Sequence, residues 1–137
     1  MHPTVRTAVA TVAGLFLAFG LIAAIEVVGH ALYPPPGLNA PEPVPPPPSL
    51  DGVPLGALVF VLAAWTIATF AGGFVAAKID GVRPRLLAGI VGVVVLAASV
   101  ANLAVMAHPP WFSAAALIGI PVAAWLAGRA AAPMMEP

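Results

Sequence analysis

The chain carries so few charged residues that they divide it into four long apolar runs. Of its 137 residues, five are Lys or Arg, five are Asp or Glu, and 61% are hydrophobic. An ordinary soluble domain carries roughly a quarter charged residues, and a nucleic-acid binder needs a basic surface. The composition therefore excludes a soluble enzyme, a nucleic-acid partner and a disordered tail. It predicts a non-enzymatic integral membrane protein surrounded by the lipid bilayer.

Prolines and charges mark the ends of four runs that can each cross a bilayer, which takes about 20 apolar residues. We predict an all-α fold, a four-helix transmembrane bundle in one membrane domain, and the order of the helices also allows two tandem helical hairpins. The predicted spans are 7–33, 54–78, 85–107 and 111–131, with a proline-rich loop at 34–53. The first span has features of a signal peptide, but its apolar stretch is longer than usual, so we expect an uncleaved helix.

All basic residues fall on one side of this four-span arrangement. They are Arg6, Lys78, Arg83, Arg85 and Arg129. Because Lys and Arg are enriched in cytoplasmic segments, we expect both termini in the cytoplasm and the 34–53 loop outside. The composition and this asymmetry favour a multi-pass membrane protein, and we expect it in a bacterial inner membrane.

Small residues recur at four-residue spacing along three of the spans. The rows are Ala10, Gly14 and Ala18; Ala64, Ala68, Gly72 and Ala76; and Ala115, Gly119, Ala123 and Ala127. Membrane helices associate through close backbone packing along such rows, because lipid removes the hydrophobic drive between helices. We therefore expect a tight bundle, with any surplus row available to a partner helix.

Four polar side chains define the predicted polar cluster. Glu26 is the only acidic residue within a predicted span, and His30 shares its helical face at i+4. Asn102 and His108 lie toward the same end of the third span. If spans one and three are neighbours, all four converge. An ionisable residue inside a membrane predicts a ligand, proton or metal role, while a Glu–His hydrogen bond that locks the helices is the structural alternative.

The sequence assigns no catalytic residue, metal site or cofactor. The chain has no cysteine, and its three isolated serines lie outside any G-x-S-x-G motif. Glu26, His30 and His108 offer ligand types for a metal, yet no spacing such as H-E-x-x-H supports one. A histidine within a span can also ligate haem or chlorophyll. The cofactor therefore stays unknown.

The 34–53 loop is the most unusual segment of the chain. Nine of the fifteen residues at 34–48 are proline, which favours an extended polyproline II conformation. A stiff segment loses little entropy on docking, so we regard it as a candidate docking loop, with an unengaged spacer as the alternative. The candidate docking residues are Pro34, Pro41, Pro43, Pro45 and Pro48.

Short segments near the ends of the first two spans carry a resemblance to known families. They are Glu26-Val27-Val28-Gly29-His30, Tyr33-Pro34-Pro35-Pro36, Gly72-Gly73 and Ala76-Ala77-Lys78. Together they resemble small uncharacterised four-span bacterial membrane proteins. The segment Glu26-Val27-Val28-Gly29 is also similar to the first-helix signature of the small multidrug resistance transporters. In that family the glutamate exchanges protons for cationic substrates in a dimer of four-helix subunits, so the resemblance implies transport.

Three functional hypotheses follow from these observations. The first is an accessory or interaction subunit that docks onto other membrane subunits, or onto itself, through small-residue faces and the loop. The second is a small dimeric proton- or cation-coupled transporter that uses Glu26. The third is a cofactor-binding subunit of a respiratory or photosynthetic complex. The inner halves of the spans carry few polar residues, which favours the first hypothesis.

Overall fold

The structure is a computed structural model that describes residues 2–34, 50 and 53–133. It confirms the all-α four-helix bundle, and the described residues form no β-strand. The helices are α1, Pro3–Leu32; α2, Leu55–Asp80; α3, Pro84–Val105; and α4, Pro110–Ala131. Most of the candidate docking loop, including Pro41, Pro43, Pro45 and Pro48, lies outside the described residues.

Prolines lie at the start of all four helices. Pro3, Pro84 and Pro110 occupy the first positions of their helices, and Pro54 directly precedes α2. Proline suits this position because its fixed φ is helical and its missing N–H would have no partner there. At the other end of α2, Gly81 has a φ of 68°, the left-handed conformation typical of a helix C-cap.

The helix ends differ from the predicted spans by up to four residues. The largest difference is at α1, which begins at Pro3 where the apolar run predicts Thr7. The predicted boundary followed hydropathy, which falls at the polar residues before Thr7. The helix that Pro3 starts nevertheless runs through those residues. At α2 the helix continues two residues past Lys78 to Asp80.

All four helices are long and apolar enough to cross a membrane, which makes this a multi-pass membrane protein. The helices have 30, 26, 22 and 22 residues. At about 1.5 Å per residue they measure roughly 45, 39, 33 and 33 Å, against about 30 Å of hydrocarbon. The ends of α1 and α2 therefore extend beyond the hydrocarbon, or these helices tilt.

The helices do not contribute equally to the bundle. Helices α2, α3 and α4 all pack against one another, whereas α1 lies along α2, touches α3 lightly and, in the described part of the chain, does not reach α4. Successive helices run antiparallel, so α1 and α3 share one direction. Helix α2 is therefore central and α1 is peripheral.

The small-residue rows form the helix contacts, as predicted. Gly14 of α1 faces Gly72 and Ala76 of α2 so closely that a Cβ at position 14 would lie 2.6 Å from the Gly72 carbonyl oxygen. The α1 row is buried, as are the α2 row and the second half of the α4 row. Close approach of small residues thus supplies the packing between these membrane helices.

Candidate functional site

We call the end of the bundle that carries all five basic residues the basic end, and the other the opposite end. Glu26 and His30 lie toward the opposite end of α1 on one helical face, with Glu26 half-buried and His30 exposed. The hydrogen bonds among the described residues include neither side chain. Glu26 is about 10 Å of helix from Tyr33, so it lies inside the helix and not at its frayed end.

His108 has partners within its own turn. Its Nδ1 lies 2.7 Å from the Met106 carbonyl oxygen and donates to it, because a carbonyl can only accept. Its ring stacks on the ring of Phe112, with centroids 4.9 Å apart and planes 21° apart. Phe112 is fully buried and also contacts Trp65 edge to face. The ring of His108 is therefore held by its own turn and by Phe112.

The predicted convergence of the four polar residues stays a prediction. Asn102 is exposed on α3, and no hydrogen bond between described residues joins it to Glu26, His30 or His108. The end of α1 packs on α2, where Tyr33 and Phe60 have ring centroids 6.4 Å apart. The assumed contact between spans one and three is therefore small.

The metal hypothesis finds no support in the arrangement of ligands. Across the described ranges, no three His, Asp or Glu side chains are grouped closely enough to hold a metal ion. Glu26, His30 and His108 consequently do not form the three-ligand set that their residue types suggest. The physical reason is again that α1 packs mainly against α2 and touches α3 only lightly.

The sequence analysis missed a second polar group, which we call the Asp80 network. Asp80 at the end of α2 is only 1% exposed. Its carboxylate accepts hydrogen bonds from the Thr7 hydroxyl at 2.8 Å and from the backbone N–H of Arg83 at 2.9 Å. The Arg83 guanidinium donates to the Thr7 hydroxyl at 2.7 Å and lies 4.0 Å from Asp80.

The Asp80 network joins three helices at the basic end. Thr7 belongs to α1, Asp80 ends α2 and Arg83 precedes α3. The sequence Asp80-Gly81 carries a recognisable signal, because an Asp side chain before Gly commonly accepts from backbone N–H groups two or three residues later. The carboxylate and the cation of this network both bond to the Thr7 hydroxyl, and their charges balance. The network therefore acts as a clamp between the helices.

Aromatic and cationic side chains meet at the same end. The Lys78 ammonium lies 5.5 Å from the ring centroid of Phe74, and the Arg129 guanidinium lies 4.7 Å from that of Trp125. Cations and aromatic rings placed together in this way are typical of the boundary between membrane and water.

Comparison with protein-family models, with curated proteins and with solved structures finds no match for this chain. The fold and its sites define the class to which it belongs, a small multi-pass helical membrane protein. Its function is argued below from its own geometry.

Proposed function

We propose that this protein is a non-enzymatic interaction subunit of a membrane complex, which packs the free side of α1 against a transmembrane helix of another subunit. The single observation that supports the proposal most is Glu26. It is a half-buried acidic residue within a membrane helix, and no described residue of its own bundle hydrogen-bonds to it. The hydrocarbon chains of lipid cannot supply a donor, so a partner helix is the favourable alternative.

The free side of α1 has the spacing of a helix–helix contact. Five apolar residues follow one another at alternating intervals of four and three residues. Each is well exposed, and the exposed fraction of Phe16 is 82%. We call them the α1 seam: Val5, Val9, Val12, Phe16 and Phe19. Lipid covers Val and Phe as well as protein does, so the seam by itself only permits a partner.

Glu26 and His30 extend the α1 seam in register. Glu26 lies seven residues after Phe19, and His30 lies fourteen after Phe16, so both continue the same heptad pattern. A straight helix drifts by about 20° per heptad, which moves Glu26 toward the edge of α1 that faces its own bundle and explains its partial burial. A helix packed on the seam therefore meets both polar groups near the opposite end.

The seam is tested by photo-crosslinking in native membranes. A crosslinking amino acid at Phe16 is expected to give a specific adduct, either a dimer or a defined larger species. The matched control is Ile118, which is 66% exposed on α4 and faces lipid in our account. If both positions give the same weak, diffuse products, the seam has no protein partner and the proposal is wrong.

The contribution of Glu26 is measured in the same assay. Glu26→Leu removes the polar group that the partner satisfies, and hydrogen bonds between membrane helices stabilise association by roughly 1 kcal/mol. We therefore expect about a fivefold loss of the Phe16 adduct. We propose that the candidate docking loop adds a second contact over residues 34–50, so deletion of Pro41 to Pro48 should likewise weaken the association. An unchanged adduct in Glu26→Leu would contradict the role of Glu26.

The transporter hypothesis also uses Glu26, to which no described side chain hydrogen-bonds, as the group that couples transport to protons or cations. The described core offers it little support, since its buried polar side chains are only Thr69, Asp80 and Ser99. Thr69 donates to the Trp65 carbonyl at 2.6 Å, and Asp80 belongs to the network at the basic end. Proton-coupled uptake into proteoliposomes that Glu26→Gln abolishes would favour transport over docking.

We also propose a bacterial inner membrane location with the basic end in the cytoplasm. The five basic residues at one end support this orientation through the positive-inside rule. The chain has no cysteine, so a single introduced cysteine is a unique label. With a membrane-impermeant maleimide, Pro34→Cys is expected to react in intact cells and Pro133→Cys only after permeabilisation. The reverse pattern would overturn the orientation.

A further inference from the structure

Helices α3 and α4 enclose an apolar groove that opens away from the bundle. It has a volume of about 300 Å³, and we call it the α3–α4 groove. Its lining includes Gly89, Gly92, Val93, Leu96 and Trp125. Val93 and Trp125 are each more than half exposed, so the groove faces the surrounding lipid. Gly89 has no other atom within 4 Å of the place where a Cβ would lie, which leaves this part of the groove open.

Two cationic side chains lie at the basic end of the α3–α4 groove. Arg85 lines the groove, and the Arg129 guanidinium lies over the ring of Trp125, which also lines it. Within the described residues, neither arginine side chain has a hydrogen bond or an ion pair, since the ion pair at this end joins Arg83 to Asp80. The groove thus combines an apolar channel with positive charge at one end only.

The length of the groove matches one leaflet of a bilayer. Arg85 and Leu96 are eleven residues apart on α3, which is about 16 Å of helix. Half of a hydrocarbon core of about 30 Å is about 15 Å. A partner helix would run past both leaflets, whereas a lipid chain occupies one leaflet and carries its charge at one end. The dimensions and the charge pattern therefore fit a lipid.

We infer that the α3–α4 groove binds an anionic phospholipid, with one acyl chain in the groove and the phosphate between Arg85 and Arg129. Basic pockets between membrane helices are suited to anionic headgroups, and Arg is matched to phosphate oxygens by its planar, forked donors. This site is independent of the α1 seam, because it involves only the far side of the bundle.

The experiment measures lipid binding to purified protein in nanodiscs of phosphatidylcholine with increasing phosphatidylglycerol. The readout is the phosphatidylglycerol retained per chain, determined by native mass spectrometry. We expect saturable retention of one phosphatidylglycerol with clear preference over phosphatidylcholine. Arg85→Gln with Arg129→Gln should weaken phosphatidylglycerol binding by roughly thirtyfold, since each cation near an anionic lipid surface contributes about fivefold.

Two matched controls separate a site from general effects. A Cβ at Gly89 meets no atom within 4 Å, so Gly89→Leu should fill the groove and abolish retention, whereas Gly20→Leu makes the same change at an equally open position on α1. Lys78→Gln removes another exposed cation at the basic end and should leave retention unchanged. Circular dichroism confirms that each variant stays helical. Equal retention by Gly89→Leu and the unchanged protein, or equal binding of phosphatidylcholine, would overturn the inference.

Discussion

Replacing Gly14 by isoleucine is expected to detach α1 from the rest of the bundle. A Cβ at this position would lie 2.6 Å from the Gly72 carbonyl oxygen and 2.7 Å from the Ala76 Cβ. A backbone and an alanine cannot move aside as a long side chain can, so the helices must separate. Overpacking typically costs about 1–3 kcal/mol, and here it acts on the contact that supplies most of the attachment of α1.

The separation can be measured by a disulfide between α1 and α2. A Cβ at position 29 would lie 3.7 Å from the Cβ of Phe60, which suits a disulfide. Cysteines at Gly29 and Phe60 should therefore crosslink readily in a chain that has no other cysteine. Adding Gly14→Ile should lower the yield severalfold, and the matched change Gly20→Ile, at an open position, should not. Equal yields in the two backgrounds would show that the close approach is unimportant.

Replacing Asp80 by alanine is expected to have the largest effect of any polar substitution. The change leaves the Thr7 hydroxyl and the backbone N–H groups of Val82 and Arg83 without their common acceptor. Hydrogen bonds to a charged acceptor contribute more than neutral ones, and these three hold the start of α3 and the start of α1 to the buried Asp80. The melting temperature of the protein in detergent should fall clearly.

The order of effects across a series identifies the cause. Asp80→Asn keeps one side-chain oxygen as an acceptor, so it should lower the melting temperature by an intermediate amount. Thr7→Val removes only the contact to α1, so it should lower the melting temperature least of the three network variants. Lys78→Ala, at a neighbouring exposed position, should change little. If Asp80→Ala destabilises no more than Lys78→Ala, the network does not act as a clamp.

The sequence predicts the helices well because its strongest signals are local. Apolar length and proline positions determine four helices, and the Gly14 and Gly72 rows indicate tight packing. The arrangement of those helices depends on contacts far apart in sequence, and the spans are apolar on nearly every side. Small residues on α1, α2 and α4 alike leave open which rows pair. The central place of α2 therefore could not be derived from the pattern.

The same limit applies to the polar residues. That Glu26 and His30 share a face follows from helical spacing, whereas their approach to Asn102 assumed that spans one and three pack closely, and this contact is small. His108 bonds within its own turn, which a single histidine in sequence does not indicate. Asp80 was missed because the predicted span ended at Lys78, so the signal of Asp80-Gly81 was not used.

The central claim is that another protein helix covers the α1 seam, and oxygen accessibility of spin labels tests it most directly. Single cysteines at Val12, Phe16 and Ile118 each carry one nitroxide in native membrane patches, and oxygen dissolved in the hydrocarbon broadens labels that face lipid. The account predicts low accessibility at Val12 and Phe16, although both are more exposed within the chain than most residues, and high accessibility at Ile118. Accessibility at Val12 and Phe16 as high as at Ile118 would show that lipid covers the seam and would contradict the account.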